Sequence, residues 1–341
     1  MCELIQTVTF GVVAYNEEKY LPDLLSDLLC QKYDKSLVEV IIVDGESTDK
    51  TWEIMQAFQD KYKDVFKSIK LLKNHKKIQP AGWNIVIENA KEDILIRVDA
   101  HARIPADFIE KNVECMNQGE HVCGGPRVNI IDDESSLWKR LLLGAEQSMF
   151  GAGIASYRNE TESKKYVKSV FHAAYRRQVI EDVGLFNEQL TRTEDNEYHY
   201  RIREKGYKIC YDPDINSLYQ TRNTLRSMLK QKFLNGFWIG KTLLYCPKCI
   251  SVFHIVPAIF VISIIVTAFL SIVGYEILGI ILWGMYFLVT LLITVMAIFE
   301  HKNIAFFILP LIFLMLHLIY GVGTIYGLVV GVLEVIKHTK I

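Results

Sequence analysis

The sequence predicts an α/β protein: residues 1–245 form a domain built on a mainly parallel sheet, and residues 246–341 supply C-terminal transmembrane helices. Three observations predict it. Short runs of branched apolar residues alternate with stretches whose apolar positions recur at helical spacing, as in a parallel sheet with helices on both faces. Three of the predicted strands end in acidic or amide side chains, which sets a row of acceptors along the edge where open α/β sheets bind ligands. Beyond residue 250, three long stretches carry no Asp, Glu, Lys or Arg.

The first strand, Thr7 to Val13, runs into the polar turn Ala14-Tyr15-Asn16-Glu17-Glu18. Leu21, Leu24, Leu25, Leu28 and Leu29 then recur at helical spacing, with Pro22 in the first turn, where its missing N–H costs nothing. Val38 to Val43 reads as a second buried strand, ending in Asp44-Gly45-Glu46-Ser47-Thr48-Asp49. Ser47 or Thr48 is placed to cap the following helix, whose apolar positions include Trp52, Met55 and Phe58. Ser68 to Leu72 is a third strand, and a helix over Ala81 to Asn89 leads to a fourth, Ile94 to Val98, which ends abruptly in Asp99-Ala100-His101. Val122 to Pro126 is a strand ending in glycines, where a ligand could come close to the backbone. Leu137 to Phe150 is amphipathic and suits either core packing or a membrane surface. A short helix closed by Gly184 precedes Thr193-Glu194-Asp195-Asn196-Glu197, which opens a helix continuing to Lys205. Arg222 to Leu244 is a helical stretch carrying Arg222, Arg226, Lys230, Gln231, Lys232 and Trp238.

The strand ends carry the chemistry. Asp99 and His101 stand one residue apart and can turn toward the same ion; a carboxylate with an imidazole suits Mn²⁺ and tolerates Mg²⁺. A divalent ion there could hold a diphosphate. The plainer reading makes Asp99 a turn residue and His101 a helix cap. Carboxylates at the other strand ends suit ribose hydroxyls, a uracil N–H or a bridging metal. A dinucleotide fold needs G-x-G-x-x-G after its first strand, and Tyr15-Asn16-Glu17-Glu18-Lys19-Tyr20 excludes it. The acids after Thr193 either complement a helix dipole or include a general base facing a cleft. The basic and aromatic residues from Arg222 onward either meet lipid headgroups or wall a diphosphate and sugar. A net charge of −1 gives no bulk attraction for nucleic acid. The seven cysteines are scattered, as for reduced thiols, and Cys246-Pro247-Lys248-Cys249 lacks the two further ligands of a structural zinc site.

The charge-free stretches Ser251 to Tyr275, Ile277 to Phe299 and Ile304 to Leu333 each exceed the ~20 residues needed to cross a bilayer. They predict spans at about 252–274, 277–299 and 304–333. Gly323, Gly327 and Gly331 form a small-residue stripe that predicts one helix packed closely on a neighbour. The N-terminus has no basic segment followed by an apolar run, and Lys230, Lys232, Lys241 and Lys248 precede the first span. Both features predict a multi-pass protein of the cell membrane whose first domain is cytoplasmic.

Taken together, four ordered stretches resemble the inverting family-2 glycosyltransferases: Ala14-Tyr15-Asn16-Glu17-Glu18, Asp44-Gly45-Glu46-Ser47-Thr48-Asp49, Asp99-Ala100-His101 and Thr193-Glu194-Asp195. The resemblance covers Thr7 to about Leu244, and the attached spans look like the membrane-bound exopolysaccharide and capsule branch, similar to succinoglycan-type glucosyltransferases. It implies a nucleotide-sugar-binding GT-A fold and hexosyl transfer from a donor, with a UDP-sugar the expected one. In that family the first two stretches hold nucleobase and ribose, which implies donor binding by Ala14, Asn16, Glu17 and Asp44. The D-x-D element, here Asp99-Ala100-His101, holds metal and diphosphate, with Mn²⁺ or Mg²⁺ on Asp99 and His101. The third acidic element implies Asp195 as catalytic base and Glu194 beside the substrate. The family's Q-x-x-R-W element is only loosely matched: Gln231 and Trp238 are present, but the spacing is wider and no Arg precedes the Trp. That departure argues against a processive polymer synthase. The spans imply an acceptor held in the bilayer, a polyprenyl-diphosphate-linked oligosaccharide. The competing readings are a polyprenyl-phosphate sugar synthase and a non-catalytic, membrane-anchored nucleotide-sugar-binding protein.

Overall fold

The structure, a computed structural model, describes residues 6–152 and 163–339. The chain divides into two compact units, Met1–Val128 with Ser156–Gln220 and Asn129–Ala155 with Thr221–Ile341.

The first unit is built on an eight-stranded sheet of β1 (Val8–Ala14), β2 (Val38–Asp44), β3 (Ser68–Lys73), β4 (Ile94–Asp99), β6 (Val122–Gly124), β8 (Lys165–Val167), β9 (Ala174–Arg176) and β10 (Ile209–Tyr211), in the order β3-β2-β1-β4-β9-β6-β10-β8. β3, β2, β1 and β4 are mutually parallel, as are β6 and β10. β9 runs antiparallel between β4 and β6, and β8 antiparallel beside β10. The sheet is therefore mostly parallel, with two reversed strands that the apolar pattern did not distinguish. A small second sheet joins β5 (Ala102–Arg103), β11 (Ser217–Gln220) and β7 (Arg127–Ile130).

The helices α1 (Leu21–Leu29), α2 (Thr51–Tyr62), α3 (Gln79–Asn89), α4 (Phe108–Asn117), α7 (Arg177–Val183) and α8 (Glu194–Glu204) complete the unit. Strand residues alternate between the two faces, and so do the cores. Phe10, Val12, Val40, Ile42, Ile96 and Val98 cluster with Leu21, Leu24, Leu28, Met55 and Phe108; Ile41, Val43 and Leu95 cluster instead with Trp83, Val86 and Tyr198. Helix α3 lies close on β1 because both contribute glycine: a Cβ on Gly82 would stand 2.7 Å from Val13 Cγ1, and one on Gly11 2.6 Å from Val86 Cγ1.

Register sets the site. Ala14 pairs with Asp44, Asp44 with Lys73, and Val13 with Asp99, so β1, β2 and β4 end level at one edge. β1 sits between β2 and β4, the point where strand order reverses and open sheets gather ligands.

Two local expectations are corrected. Neither Ser47 nor Thr48 caps α2; that helix starts after Lys50, and Asp49 Oδ1 accepts from the Thr51 amide at 3.0 Å. Ser47 instead donates to Asp44 Oδ1 at 2.6 Å, because the loop after β2 folds back on the strand end. Gly124 and Gly125 make room for the protein's own backbone rather than for a ligand: a Cβ on Gly124 would stand 2.7 Å from the His172 carbonyl, and one on Gly125 would overlap the carbonyls of Ile215 and Asp212.

The second unit is helical: α5 (Leu137–Gln147), α6 (Met149–Ala152), α9 (Leu225–Tyr245), α10 (Val256–Ile272), α11 (Glu276–His301) and α12 (Leu309–Thr339). Leu141, Leu142 and Ala145 of α5 are buried with Met228, Phe306, Leu309, Ile312 and Phe313, so this helix is core on that face, while Trp138 stays 40% exposed. The glycine stripe of α12 packs on α9. A Cβ on Gly323 or Gly327 would overlap the carbonyls of Phe233 or Phe237, and one on Gly236 or Gly240 those of Tyr320 or Thr324. Lys232 pairs with Glu146 at 3.0 Å in a buried setting, and Lys241 with Glu334 at 2.8 Å. Tyr286 OH lies 3.0 Å from His317 Nδ1, and His317 Nε2 2.6 Å from the Phe150 carbonyl, so the imidazole accepts at one nitrogen and donates at the other. Among the described residues, Glu276–His301 and Ile304–Lys337 are long and apolar enough to cross a membrane; Val256–Ile272, at 17 residues, is shorter.

Candidate active site

Two loops after β1 and β2 are laced together. The Asn16 amide donates to Ser47 Oγ at 2.9 Å, the Thr48 amide to Asn16 Oδ1 at 2.8 Å, and the Glu17 amide to Thr51 Oγ1 at 2.7 Å. Asn16 and Glu46 hold left-handed backbone, at φ 55° and 60°, a conformation uncommon outside glycine and frequent at ligand-binding turns. Asp44 is fully buried and engaged from two sides, by Ser47 and by Lys73 Nζ at 2.8 Å. Lys73 in turn lies over the Trp52 ring at 3.5 Å. The Ala14 carbonyl accepts from the Gly45 amide at 2.8 Å, which ties the first loop to the second.

The end of β4 is the centre of the site. His101 Nδ1 lies 3.1 Å from Glu17 Oε1, so Glu17 meets the imidazole, and the His101 ring stands edge-on to Tyr219 at 5.4 Å. Asp99 Oδ2 lies 3.9 Å from His172 Nε2. Burial pushes the Asp99 carboxyl up; the charges of His172 when protonated, Arg97, His101 and Arg127 outweigh it and hold the group below the usual carboxylate range. His172 is itself pushed down to about 3 by burial, so near neutral pH it is uncharged, while the two arginines keep their charge beside Asp99. Arg127 lies over the rings of Phe171 and Tyr219, at 4.6 and 4.2 Å.

Arg97, two residues before Asp99, is buried and donates from Nη2 to Glu194 Oε1 at 3.1 Å. Its guanidinium also lies over Trp83 at 4.7 Å and Phe186 at 5.4 Å. The three acids in the first turn of α8 thereby separate. Glu194 is taken by Arg97, and Glu197 by Arg201 at 2.7 Å. Asp195 accepts the Asn196 amide at 2.8 Å and has no side-chain partner among the described residues. Burial, reinforced for Glu194 by the Asp195 charge, raises both carboxyls against the pull of Arg97, Glu194 to about 8. They titrate as a pair.

The residues fit a divalent ion. Glu17 on the far nitrogen of His101 is the carboxylate–imidazole arrangement that orients metal-binding histidines, and both ring nitrogens of buried His172 lack a hydrogen-bond partner. Among the described residues no group of three or more His, Cys, Asp or Glu side chains is placed to hold a metal ion, so Asp99 and His101 are the protein ligands such an ion would have here. Within the first unit, then, Ala14, Asn16, Glu17, Asp44, Asp99, His101, Glu194 and Asp195 meet at one sheet edge. Gln231 and Trp238 belong to α9 of the second unit, where Trp238 packs edge-on to Phe237 at 5.6 Å. Sequence reasoning passed over Arg97, His172 and Arg127. The signal for Arg97 was a cation in the apolar run Ile94-Leu95-Ile96-Arg97-Val98, which a buried strand admits only with a partner.

Comparisons with known proteins place the chain in a family. Residues 9–184, just over half of the chain, match the family described as Glycosyl transferase family 2. Over 334 residues, 95% of this chain and 98% of the relative, the sequence is 26% identical to the dolichyl N-acetyl-alpha-D-glucosaminyl phosphate 3-beta-D-2,3-diacetamido-2,3-dideoxy-beta-D-glucuronosyltransferase of Methanococcus voltae. It is 28% identical to the succinoglycan biosynthesis protein ExoA of Rhizobium meliloti over 69% of each chain. Among solved structures, the mannosyltransferase PcManGT of Pyrobaculum calidifontis, in complex with GDP-Man and Mn²⁺, superposes with a TM-score of 0.62 at 14% identity, covering 95% of this chain and 88% of that one; it shares the fold. The level strand ends, the acids of α8 and the family match lead to one conclusion: this chain belongs to glycosyl transferase family 2 and is a glycosyltransferase with a GT-A-like α/β fold.

Proposed function

We propose that this glycosyltransferase moves a sugar from a nucleotide-sugar donor, a UDP-sugar in the first instance, to a lipid-linked saccharide with inversion at the anomeric carbon. One observation carries the reading: of the three acids opening α8, Asp195 alone has no side-chain partner among the described residues, at the same sheet edge as Asp99. A base must be able to reach a proton, and Glu194 and Glu197 are already engaged. Asp195 takes the proton of the acceptor hydroxyl while that oxygen attacks the anomeric carbon from the face opposite the diphosphate. A single displacement converts an α-linked donor sugar into a β-linkage.

Asp99 and His101 would hold the divalent ion, Mn²⁺ or Mg²⁺, which as a Lewis acid offsets the charge developing on the departing diphosphate. Glu17 orients His101, and the laced loops carrying Asn16 and Asp44 form the floor for nucleobase and ribose. The long apolar helices α11 and α12 support attachment to a bilayer with the site on the cytoplasmic face, and the shorter α10 is the third candidate span. The Methanococcus relative, similar along its whole length, is named for a dolichyl-linked acceptor. That supports a polyisoprenyl-linked acceptor, of the kind used in surface-polysaccharide synthesis.

The test is a panel of labelled nucleotide sugars supplied to membranes containing the protein. Label in an alkali-stable lipid-linked oligosaccharide is the expected result. Labelled monosaccharide on a lipid monophosphate would instead assign a polyprenyl-phosphate sugar synthase, whose ionised acceptor needs no base. Donor binding without turnover in every condition would reduce the protein to a binding module.

A further inference from the structure

Arg127, the first residue of β7, is a buried cation, 7% exposed, and lies outside every motif that the sequence offers. Burying a charge is costly, so its position asks for a reason. Two aromatic rings place it. The guanidinium rests on Phe171 at 4.6 Å and on Tyr219 at 4.2 Å. Phe171 in turn packs on His172 at 4.4 Å, and Tyr219 stands against His101 at 5.4 Å. Both histidines adjoin Asp99: His172 Nε2 lies 3.9 Å from Asp99 Oδ2, and His101 follows Asp99 by two residues. The small sheet makes the same connection through the backbone, since β7 is bonded to β11 and β11 to β5, where Tyr219 pairs with Ala102. The chain entering β7 is fixed as well. The Asp212 amide donates to the Gly124 carbonyl at 2.9 Å, and the Ser217 amide to the Pro126 carbonyl at 3.1 Å. The cation is therefore held at a set position beside Asp99 before any ligand arrives.

The sheet edge around it is acidic. Glu17, Asp44 and Asp99 suit ribose hydroxyls, but their charges repel a diphosphate. A divalent ion offsets that repulsion only while it is bound. A guanidinium offsets it at all times. Its faces can lie on rings while its N–H groups, which point outward in the plane, meet phosphate oxygens in pairs. Of the two arginines beside Asp99, Arg97 is committed to Glu194. We propose that Arg127 contacts the diphosphate of the donor and is a catalytic residue that stabilises the charge gathering there as the sugar departs. When the bond from the anomeric carbon to the diphosphate oxygen breaks, its electron pair stays on that oxygen. The acceptor oxygen bonds to the carbon, and its proton goes to Asp195. Arg127 faces the oxygen side of that displacement, where a preset cation in an enclosed corner acts most strongly. The proposal rests on the nucleotide-sugar reading given above and is independent of the metal.

The experiment uses the full chain in detergent and measures binding of UDP and of uridine in excess chelator. The unaltered protein should bind UDP more tightly than uridine even without a metal. Arg127→Gln should weaken UDP by about 10–100-fold, the scale of a hydrogen bond to a charged group, and leave uridine within about twofold. Its turnover in the transfer assay should fall by about 10²-fold or more. Arg127→Lys keeps a point charge and loses the planar fork, so its UDP affinity and turnover should lie between the two. It also carries the test if Arg127→Gln does not fold. A packing role would not separate the two probes: equal loss of UDP and uridine in either variant would overturn the proposal and make Arg127 structural. Unchanged UDP affinity in the variants, or equal affinity for the two probes in the unaltered protein, would overturn it too and leave Arg127 as a counter-ion of Asp99. Those results would leave the nucleotide-sugar reading in place, because the unaltered protein still binds UDP. Binding of neither UDP nor uridine by the unaltered protein would overturn that reading, and the proposal with it.

Discussion

Replacing Arg97 by Met removes one partner of a buried ion pair and leaves the other in place. Arg97 and Glu194 are 6% and 4% exposed, their contact is 3.1 Å, and the guanidinium also faces Trp83 and Phe186. Breaking a buried pair from one side costs about 3–5 kcal/mol, and the lost ring contacts add to it by about 0.5–2 kcal/mol. The expected destabilisation, where Glu194 is ionised, is therefore about 3.5–7 kcal/mol, read from denaturant unfolding of the protein in detergent above pH 8. The double variant Arg97→Met/Glu194→Gln should recover much of the loss, with a coupling of about 2–3 kcal/mol, because it strands no charge. The cost should also depend on pH. Burial raises the folded-state pKa of Glu194 to about 8, so the stability this group contributes is fully present below the ordinary carboxyl pKa of about 4.3 and is lost as pH rises through about 8. Arg97 is what moderates that loss. Its removal should consequently hurt least near pH 5 and most above pH 8. A penalty below about 1 kcal/mol, the scale of an exposed pair, or one that shrinks as pH rises, would refute the reasoning.

Asp195→Asn should lower turnover by about 10²-fold or more with donor affinity kept, measured by transfer assay and nucleotide binding. Because burial raises Asp195, and a base works only when deprotonated, the unaltered enzyme's rate should climb with pH through an apparent pKa above the usual carboxylate range; that limb should vanish in Asp195→Asn. Glu197→Gln should be milder in turnover, since its partner is Arg201. His101→Asp should keep some transfer with Mg²⁺ because it restores an oxygen ligand, whereas Asp99→Ala should abolish it; full activity in excess chelator would remove the metal role altogether. Gly327→Ala should lower the unfolding temperature clearly more than Gly331→Ala, because the first new methyl meets the Phe237 carbonyl and the second only the flexible end of Leu244, at 2.6 Å.

Much of the first unit was legible because its signals are local. Strands buried on both faces are mostly apolar, and β1, β2 and β4 are so apart from Thr9, Glu39, Asp44, Arg97 and Asp99; Gly184 closes α7 at φ 81°, a positive value that glycine adopts without strain. Asp44, Asp99 and Asp195 were visible for the opposite reason, since acids at the ends of apolar strands and helices need an explanation. Long-range pairing was not legible. Nothing near Glu194 announces Arg97, which lies 97 residues away, and nothing near His101 announces Glu17, 84 residues away. Short strands such as β8 and β9 have too few residues to reveal their direction. The glycines at 124 and 125 were read toward a ligand because sequence cannot say whose backbone comes close; here it is the turn around His172 and the chain at Asp212 and Ile215. In the second unit, apolar length identified the long helices, but the partner of the α12 glycine stripe was set by glycines on α9 whose own spacing had drawn no notice.

The position of Arg97 bears on the proposed mechanism as well as on stability. Side chains alternate along a strand, so Arg97 and Asp99 leave β4 on the same face, two residues apart. Arg97 holds the first residue of α8, and Asp99 faces His172 on the turn before β9, the strand that pairs with β4. The proposed base therefore sits one residue along from an anchor planted in the strand that carries the proposed metal ligand. In-line displacement requires the attacking oxygen and the leaving diphosphate to lie on opposite sides of one carbon, and small misplacements are expensive in rate. A base on a free loop would have to find that line anew in each turnover; a base clamped to β4 does not. It follows that Glu194→Gln, which keeps a hydrogen bond to Arg97 while removing the charge, should retain far more activity than Glu194→Ala, which lets the helix start drift. Equal loss in the two variants would mean that Glu194 acts on substrate directly and that the clamp is incidental.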